Sequence, residues 1–298
     1  MGYINVFVSK PCRIAVKNRQ LTIVGESELS FPIEDLNAVL LETGECNVTV
    51  MALRALADAG VVVFVCDERH VPNGVMIPFK TYYRSLKVLN LQINMAKPLK
   101  KQLWQAIVRQ KIVNQATCMV LCDKAEDAKY LFDLSKEVNS ADSRNAEAVA
   151  ASYYFKKVFG DRFTRERDLF INDALNYGYS LVRGTIARTL SVYGFETSFG
   201  LHHCNQLNNF NLADDLIEPF RPVVDGMVYA LREKETLDGD VKRLLFSVFT
   251  TDVEVDGQKY ALSYAVELMV QSLRAVLEGE RNSLLLPQIV KTQTHRYE

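Results

Sequence analysis

The spacing of apolar residues along this chain changes once, near residue 79, and that change limits the folds that the chain can adopt. Before it, short runs rich in β-branched residues predict strands, as at 3–8, 20–24 and 61–66. After it, apolar residues recur every three or four positions, which predicts helices, and Asp256-Gly257 signals one hairpin. We therefore predict an α+β fold: a small β-rich domain with one helix over residues 1–79, then a larger all-α domain with a small β-hairpin over 80–298.

The second predicted domain opens with a stretch that carries positive charge only. No Asp or Glu occurs from residue 80 to residue 122, although the formal net charge of the whole chain is −1. Such a window favours a surface that binds nucleic-acid phosphates. A solvated helix face that acids elsewhere balance is the alternative. The candidate DNA-binding residues are Arg84, Lys97, Lys100, Lys101, Arg109 and Lys111.

The stretch 200–225 combines imidazoles and carboxylates around an Asn-rich loop. It holds two of the four histidines, followed by a predicted helix over 212–231 that Pro219 and Pro222 should kink. A histidine and a carboxylate facing each other across a loop suit a hard divalent metal such as Mg²⁺ or Mn²⁺. Ordinary loop or core histidines are the alternative. Spacing alone does not choose among the candidates, which are His202, His203, Asp214, Asp215 and Glu218.

Glu147 is a second candidate carboxylate, because its predicted helix over 145–158 otherwise consists largely of alanine, valine and aromatic residues. A carboxylate on a tightly packed helix is costly unless a cation compensates it. The alternative is a first-turn glutamate that is stabilised by the helix dipole and by Arg144. The residues alone leave both interpretations open.

Several function classes lack their usual sequence signatures. There is no dinucleotide-binding glycine motif, no P-loop, no nucleophile elbow and no His-Glu-x-x-His. The six cysteines show no zinc-finger spacing, which predicts reduced thiols in a cytoplasmic protein. No apolar run approaches the roughly 20 residues that span a bilayer, so no membrane partner is expected.

Three segments resemble, in order, the motifs of a known integrase family, the CRISPR-associated protein one family. They are Asn-Ala-Glu-Ala at 145–148, Gly-Leu-His-His at 200–203 and Asp-Leu-Ile-Glu-Pro-Phe-Arg-Pro at 215–222. Residues 172–183 resemble the central helix of that family, and the resemblance covers essentially the whole chain. The compact length and the loop at 205–211 are similar to members from type II systems.

The resemblance implies that Glu147, His203 and Glu218 are catalytic and bind Mg²⁺ or Mn²⁺. The histidine of the family is the fourth residue of Gly-x-x-His, which selects His203 over His202. Asp215 is expected to support these ligands, although the tandem Asp214-Asp215 leaves open which acid does so.

The resemblance also implies a metal-dependent DNA endonuclease and integrase of CRISPR adaptation. It would capture short foreign DNA and insert it into the CRISPR array by attack of a 3′-hydroxyl on a phosphodiester. The implied partners are double-stranded DNA (protospacer and repeat), a second copy bound through the β-rich domain, and a small protein of the CRISPR-associated protein two family in a heterohexamer. A type II effector nuclease and a DNA-end-clamping accessory protein are further expected partners. The alternatives are a catalytically silent DNA-binding scaffold and a stand-alone, structure-specific metal nuclease.

Overall fold

A β-rich region precedes a larger helical region in the computed structural model, which describes residues 2–77, 84–165 and 170–290. The order of these regions and the mixed α+β class are as predicted. The predicted domain boundary at 79–80 and the start of the acid-free window fall on residues 78–83, outside the described residues.

The β-rich region contains two four-stranded sheets and one helix. Their order is β1-β5-β7-β8 in the first sheet and β4-β3-β2-β6 in the second. Asn18 and Arg19 turn the β2–β3 hairpin with φ values of 51° and 61°, as a tight two-residue turn requires. The elements are β1 (Ile4–Val8), β2 (Cys12–Lys17), β3 (Gln20–Val24), β4 (Glu28–Pro32), β5 (Leu36–Leu41), β6 (Cys46–Val48), α1 (Val50–Asp58), β7 (Val62–Cys66) and β8 (Pro72–Val75).

The first sheet is buried on both faces, as expected for a sheet in which three of the four strands, β1, β5 and β7, are parallel. Successive side chains point to opposite faces. Leu40 and Phe64 therefore join the core of the helical region, while Val39 and Val63 join a second core with Leu56 of α1. The β-rich region is thus anchored to the helices through one face of this sheet.

The helical region consists of nine helices in the described residues. They are α2 (Ser85–Ile93), α3 (Lys97–Leu121), α4 (Ala125–Glu137), α5 (Ala146–Phe159), α6 (Phe170–Val192), α7 (Asn211–Leu216), α8 (Arg221–Ala230), α9 (Gly239–Phe246) and α10 (Leu262–Leu277). None of the described helices is both long and apolar enough to cross a membrane.

The helix predicted over 212–231 is broken at its prolines. A 3₁₀ turn, Glu218–Phe220, separates α7 from α8, and Pro219 and Pro222 occupy first-turn positions where no backbone donor is required. The predicted kink is therefore present, and Glu218 lies in the 3₁₀ turn between the two helices.

The predicted hairpin is part of a larger sheet. β9 (Asp252–Val255) and β10 (Gln258–Ala261) turn at Asp256 and Gly257, whose φ values are 53° and 77°. A short strand β11 (Gln288–Ile289) pairs with the other edge of β9. Asn114 of α3 ties this last strand to the helices, because its amide oxygen accepts a hydrogen bond from the Ile289 amide at 3.2 Å.

Candidate functional site

One face of α3 forms the floor of the candidate site. Trp104 and Lys111 are seven residues apart and share this face, and both are buried, with 2% and 7% of their surface exposed. Lys111 follows Ile107 of the apolar stripe by one helical turn, and Gln115 follows Lys111 by another. The sequence placed Lys111 among the DNA-binding candidates, whereas the structure places its side chain inside the protein.

Glu147 is positioned by the cap of its own helix. Asn145 has a left-handed φ of 56°, and the preceding Asp142 carboxylate accepts hydrogen bonds from the amides of Ala146 at 2.8 Å and Glu147 at 3.0 Å. These bonds satisfy the first free donors of α5. The Glu147 side chain is therefore free to pair with Lys111, whose Nζ lies 2.7 Å from Glu147 Oε1.

Glu218 meets the same lysine from the opposite side. Its Oε2 forms an ion pair with Lys111 Nζ, and its Oε1 accepts from Arg221 Nε at 2.9 Å. The turn that carries it is held by Asn114, whose side-chain amide donates to the Pro219 carbonyl at 2.7 Å. α3 thus positions Glu218 through two side chains, one charged and one neutral.

The charges of this cluster are mutually stabilising. Burial by itself would raise the pKa of Glu218, but the positive charges of Lys111 and Arg221 outweigh burial and lower that pKa to about 2. Burial likewise opposes the charge on Lys111, yet Glu218 and Glu147 raise the pKa of the ammonium above its ordinary value. Glu218, Lys111 and Arg221 are therefore all ionised at neutral pH.

His203 is fixed by Asp215, which is completely buried. Residues 201–203 wrap around the Asp215 carboxylate, which accepts their backbone amides at 2.5, 3.1 and 3.1 Å. The carboxylate also accepts a hydrogen bond from His203 Nδ1 at 2.8 Å. This leaves Nε2 as the ring nitrogen that can bind a metal. This hydrogen bond is the main reason that the pKa of His203 is raised.

Gly200 permits this close wrapping. A β-carbon at that position would lie 2.2 Å from the His203 carbonyl oxygen and 2.8 Å from Asp215 Oδ2. Any larger residue would push the histidine loop off the carboxylate.

The tandem residues that the sequence could not separate have different environments. The His202 ring stacks on the indole of Trp104, with ring centroids 4.3 Å apart and planes 2° apart. Asp214 pairs with Arg183 at 2.5 Å instead of with a histidine. His203 is therefore the histidine that pairs with Asp215, and its ring lines a cleft.

The Asn-rich loop is held by its own side chains. Asn211 donates to the carbonyls of Ser198 at 3.1 Å and Asn205 at 2.9 Å, and Asn208 donates to Asp214 Oδ2 at 2.6 Å. These bonds explain the asparagines in local terms and give the histidine loop a defined shape.

A cleft of about 410 Å³ beside His203 carries three arginines that sequence reasoning missed: Arg165, Arg183 and Arg221. The guanidinium carbons of Arg165 and Arg221 lie 5.5 and 4.6 Å from the centroid of the Tyr179 ring. Tyr179 and Arg183 are four residues apart on α6, so the helical period could have indicated a shared face. Asp214 and Glu218 pair with two of these arginines, Arg183 and Arg221, while Arg165 bonds only to neutral asparagines among its hydrogen-bond partners in the described part of the chain.

The remaining candidates for DNA contact lie at the surface. Arg84, Lys97, Lys101 and Arg109 are exposed, and Lys100 is partly exposed. Lys97, Lys100 and Lys101 all belong to the first turns of α3. They remain candidates for phosphate contact.

The donor atoms suit a hard metal, although no three His, Cys, Asp or Glu side chains in the described ranges are placed to hold one as they stand. The Lys111 ammonium lies between Glu147 and Glu218. A cation already bridges the two carboxylates there, and carboxylate oxygens with an imidazole nitrogen are ligands that Mn²⁺ and Mg²⁺ accept. The donor types therefore fit such an ion, which would compete with the Lys111 ammonium for the two carboxylates.

Asp225 of α8 adds a buried acid next to this cluster. Burial raises the pKa of its carboxyl from 3.8 to about 6, and a hydrogen bond from the Tyr179 hydroxyl offsets the rise only in part. The folded protein thus binds the carboxyl proton of Asp225 more tightly than the unfolded chain does. The ionised form costs folding free energy at neutral pH, and the cost fades as the pH falls through 6 towards 3.8.

We expect Asp225→Asn to raise the free energy of unfolding at about pH 7.5 by up to about 3 kcal/mol, with a gain that shrinks towards about pH 4.5. Asparagine keeps an oxygen that can accept from Tyr179 and removes the buried charge. Urea denaturation at the two pH values measures the difference. An equal gain at both would contradict a titrating Asp225.

Comparison with known proteins adds an independent view. The family profile described as CRISPR associated protein Cas1 matches residues 6–244. The chain is 39% identical over 307 aligned positions to a CRISPR-associated endonuclease Cas1 from Neisseria meningitidis serogroup C, covering 100% of both chains.

Two solved structures share the fold at lower identity. A casposase bound to integration product superposes with a TM-score of 0.74 at 21% identity, covering 95% of this chain and 92% of the casposase. A chain of a Cas6-RT-Cas1–Cas2 complex gives a TM-score of 0.71 at 19% identity, covering 97% of this chain and 36% of the other.

Proposed function

Because this chain belongs to the CRISPR associated protein Cas1 family, the endonucleases and integrases of CRISPR adaptation, we propose that Glu147, His203 and Glu218 hold the Mg²⁺ or Mn²⁺ ion of its DNA-joining site. The observation that carries the proposal is the convergence of Glu147 and Glu218 on one buried cation, Lys111. A bound divalent ion would neutralise charge that develops on the attacking and leaving oxygens of a phosphodiester.

The protein's own residues supply position and charge. Asp215 holds His203 by its Nδ1 and so presents Nε2. Arg165, held against the Tyr179 ring, gives the adjoining cleft positive charge for a phosphate, whereas Arg221 is paired with Glu218. In the reaction, a DNA 3′-hydroxyl loses its proton to solvent and bonds to phosphorus, the bond from phosphorus to the departing 3′-oxygen breaks, and that oxygen takes up a proton from solvent. The chain needs only to align these two DNA ends, and no covalent protein intermediate is required.

The path of the DNA is inferred from α3. Lys100, Trp104 and Lys111 share one face of this helix. Lys100 lies eleven residues before Lys111, which corresponds to about 16 Å along the axis. The basic first turns of α3 therefore lead away from the candidate metal site at a distance that a few nucleotides span, which supports a phosphate-binding role for Lys97, Lys100 and Lys101.

We expect the double change Lys100→Ala and Lys101→Ala to weaken binding of duplex DNA about tenfold. The negative slope of log affinity against log salt should become shallower by up to about 2. Each lost phosphate contact releases about one counterion fewer. Fluorescence anisotropy over a salt series measures both quantities. The double change Lys10→Ala and Lys17→Ala removes the same charge from exposed positions of the β-rich region and serves as control. An unchanged slope would remove the α3 pair from the DNA surface.

The proposed assembly with other proteins also rests on membership of the Cas1 family. A chain of a Cas6-RT-Cas1–Cas2 complex has the same fold, which supports a Cas2-type partner. Residues 1–79 are proposed as the domain that forms the homodimer, since Val50 and Met51 at the start of α1 are 81% and 61% exposed. Pairing of two such dimers with the small partner gives the proposed heterohexamer. An origin in a type II system, with its effector nuclease and DNA-end clamp, remains a prediction, as does a cytoplasmic location.

One assay separates this function from its alternatives. The protein is incubated with branched and target DNA, with and without Mn²⁺ and the small partner. Joined products support the integrase, cleavage without joining supports a stand-alone nuclease, and DNA binding alone supports a silent scaffold. Absence of joined products under every condition would overturn the proposal.

A further inference from the structure

The ammonium of Lys111 occupies the position between the two proposed carboxylate ligands. Its Nζ lies 2.7 Å from Glu147 Oε1 and forms an ion pair with Glu218 Oε2, and only 9% of the lysine side chain is exposed. The second oxygen of Glu218 is taken by Arg221. These four side chains thus carry formal charges that cancel, two negative and two positive.

A divalent ion cannot be added to this arrangement without a rearrangement. It would bring two more positive charges next to two cations in a poorly solvated place, where like charges repel strongly. Arg221 donates to Oε1 of Glu218 only, whereas Lys111 pairs with one oxygen of each carboxylate. Lys111 is therefore the group that competes with the metal for the same ligands.

The structure also contains an acceptor that could receive the lysine. Gln115 lies one helical turn after Lys111 on α3 and is 2% exposed. Within the described residues its Oε1 has no hydrogen-bond donor, which is unusual for a buried amide oxygen. Lys111, Gln115, Glu218 and Asp225 line one cavity of about 240 Å³.

We propose that Lys111 is an internal counter-cation that holds Glu147 and Glu218 together without metal, and that it moves to Gln115 Oε1 when a divalent ion binds. The movement stays within one side chain and one cavity. The ammonium then satisfies the unpaired amide oxygen and approaches the Asp225 carboxylate. This inference rests on the proposed metal site and assigns Lys111 and Gln115 as positioning residues for its ligands.

The test measures Mn²⁺ affinity by titration calorimetry, with no DNA present, in the full-length chain. Lys111→Met removes the competitor and should tighten Mn²⁺ binding about tenfold or more. The same variant should melt at a lower temperature than the wild type in EDTA, because two buried carboxylates lose their cation, and Mn²⁺ should restore its melting temperature. Lys111→Gln, which keeps a hydrogen-bond donor, repeats the affinity measurement if the methionine variant does not fold.

The receiving role is tested by a double-mutant cycle. Gln115→Met has a similar length and lacks the acceptor, so it should weaken Mn²⁺ binding about tenfold when Lys111 is present. It should have little effect in the Lys111→Met background, where no ammonium needs a partner. An equal effect in both backgrounds would overturn the receiving role, and Mn²⁺ affinity that is unchanged or weaker in both Lys111 variants would overturn the competition.

Glu147→Gln distinguishes failure of this inference from failure of the metal site. If Glu147→Gln leaves Mn²⁺ affinity unchanged, the ligand assignment itself is wrong. If Glu147→Gln abolishes Mn²⁺ binding while both Lys111 variants bind Mn²⁺ like the wild type, the metal-site proposal is supported and only the counter-cation role of Lys111 is overturned.

Discussion

His203→Ala is expected to lower the rate of DNA joining by about 1000-fold or more, because losing a ligand forfeits several kcal/mol of charge stabilisation at the phosphate. The protein should remain folded, since the His203 side chain is 42% exposed. Gel assays of strand transfer under single-turnover conditions measure the loss. Glu147→Ala and Glu218→Ala should also abolish joining, although Glu218→Ala additionally leaves Lys111 and Arg221 with fewer partners.

His202→Ala is the matched control. The two histidines are adjacent in sequence, yet His202 stacks on Trp104 while His203 bonds to Asp215. We expect the His202 variant to retain joining within about tenfold of the wild type, since a lost aromatic contact is worth about 0.5–1.5 kcal/mol. Wild-type joining by a folded His203→Ala protein would remove this residue from the ligand set.

Asp215→Ala is expected to destabilise the protein by about 3–5 kcal/mol, since it removes the acceptor of several buried amides at once. The carboxylate is completely buried and accepts the backbone amides of residues 201–203. In a chain of this size the melting temperature should fall by about 10 °C. DNA joining should fall as well, because His203 loses its hydrogen-bond partner.

Asp214→Ala separates this effect from a general loss of acidic charge. Asp214 is partly exposed and pairs with Arg183 and Asn208. A partly exposed ion pair contributes less than a buried, fully bonded carboxylate, so the expected cost is about 1 kcal/mol. Equal melting temperatures for the two variants would mean that the Asp215 bonds do not hold the histidine loop.

Much of the fold was predictable because its signals are local. Asn18-Arg19 and Asp256-Gly257 adopt the positive φ values that two-residue turns require, and Asn, Asp and Gly tolerate them better than most residues. Pro219 ends a helix because it lacks an amide hydrogen. The short strand Gln288–Ile289 escaped prediction because its partner, β9, lies more than thirty residues earlier.

The site was only partly predictable, for physical reasons that Lys111 illustrates. Its charge suggested a solvent-facing residue, while its place one turn after Ile107 on the apolar stripe indicated burial. Only the fold brings it to Glu147 and Glu218, which lie far away in sequence. The choice between His202 and His203 likewise depends on how closely the chain at Gly200 approaches Asp215, which is a tertiary contact.

The long helix α3 carries the basic first turns, Trp104, Lys111 and Asn114 on a single uninterrupted rod. Each residue advances a helix by about 1.5 Å and turns it by about 100°. Adding or deleting one residue between Trp104 and Lys111 would therefore swing the lysine away from its carboxylates while the indole stayed in place. This segment should tolerate changes of side chain far better than changes of length, because the number of residues in α3 sets both the distance and the angle between its functional side chains.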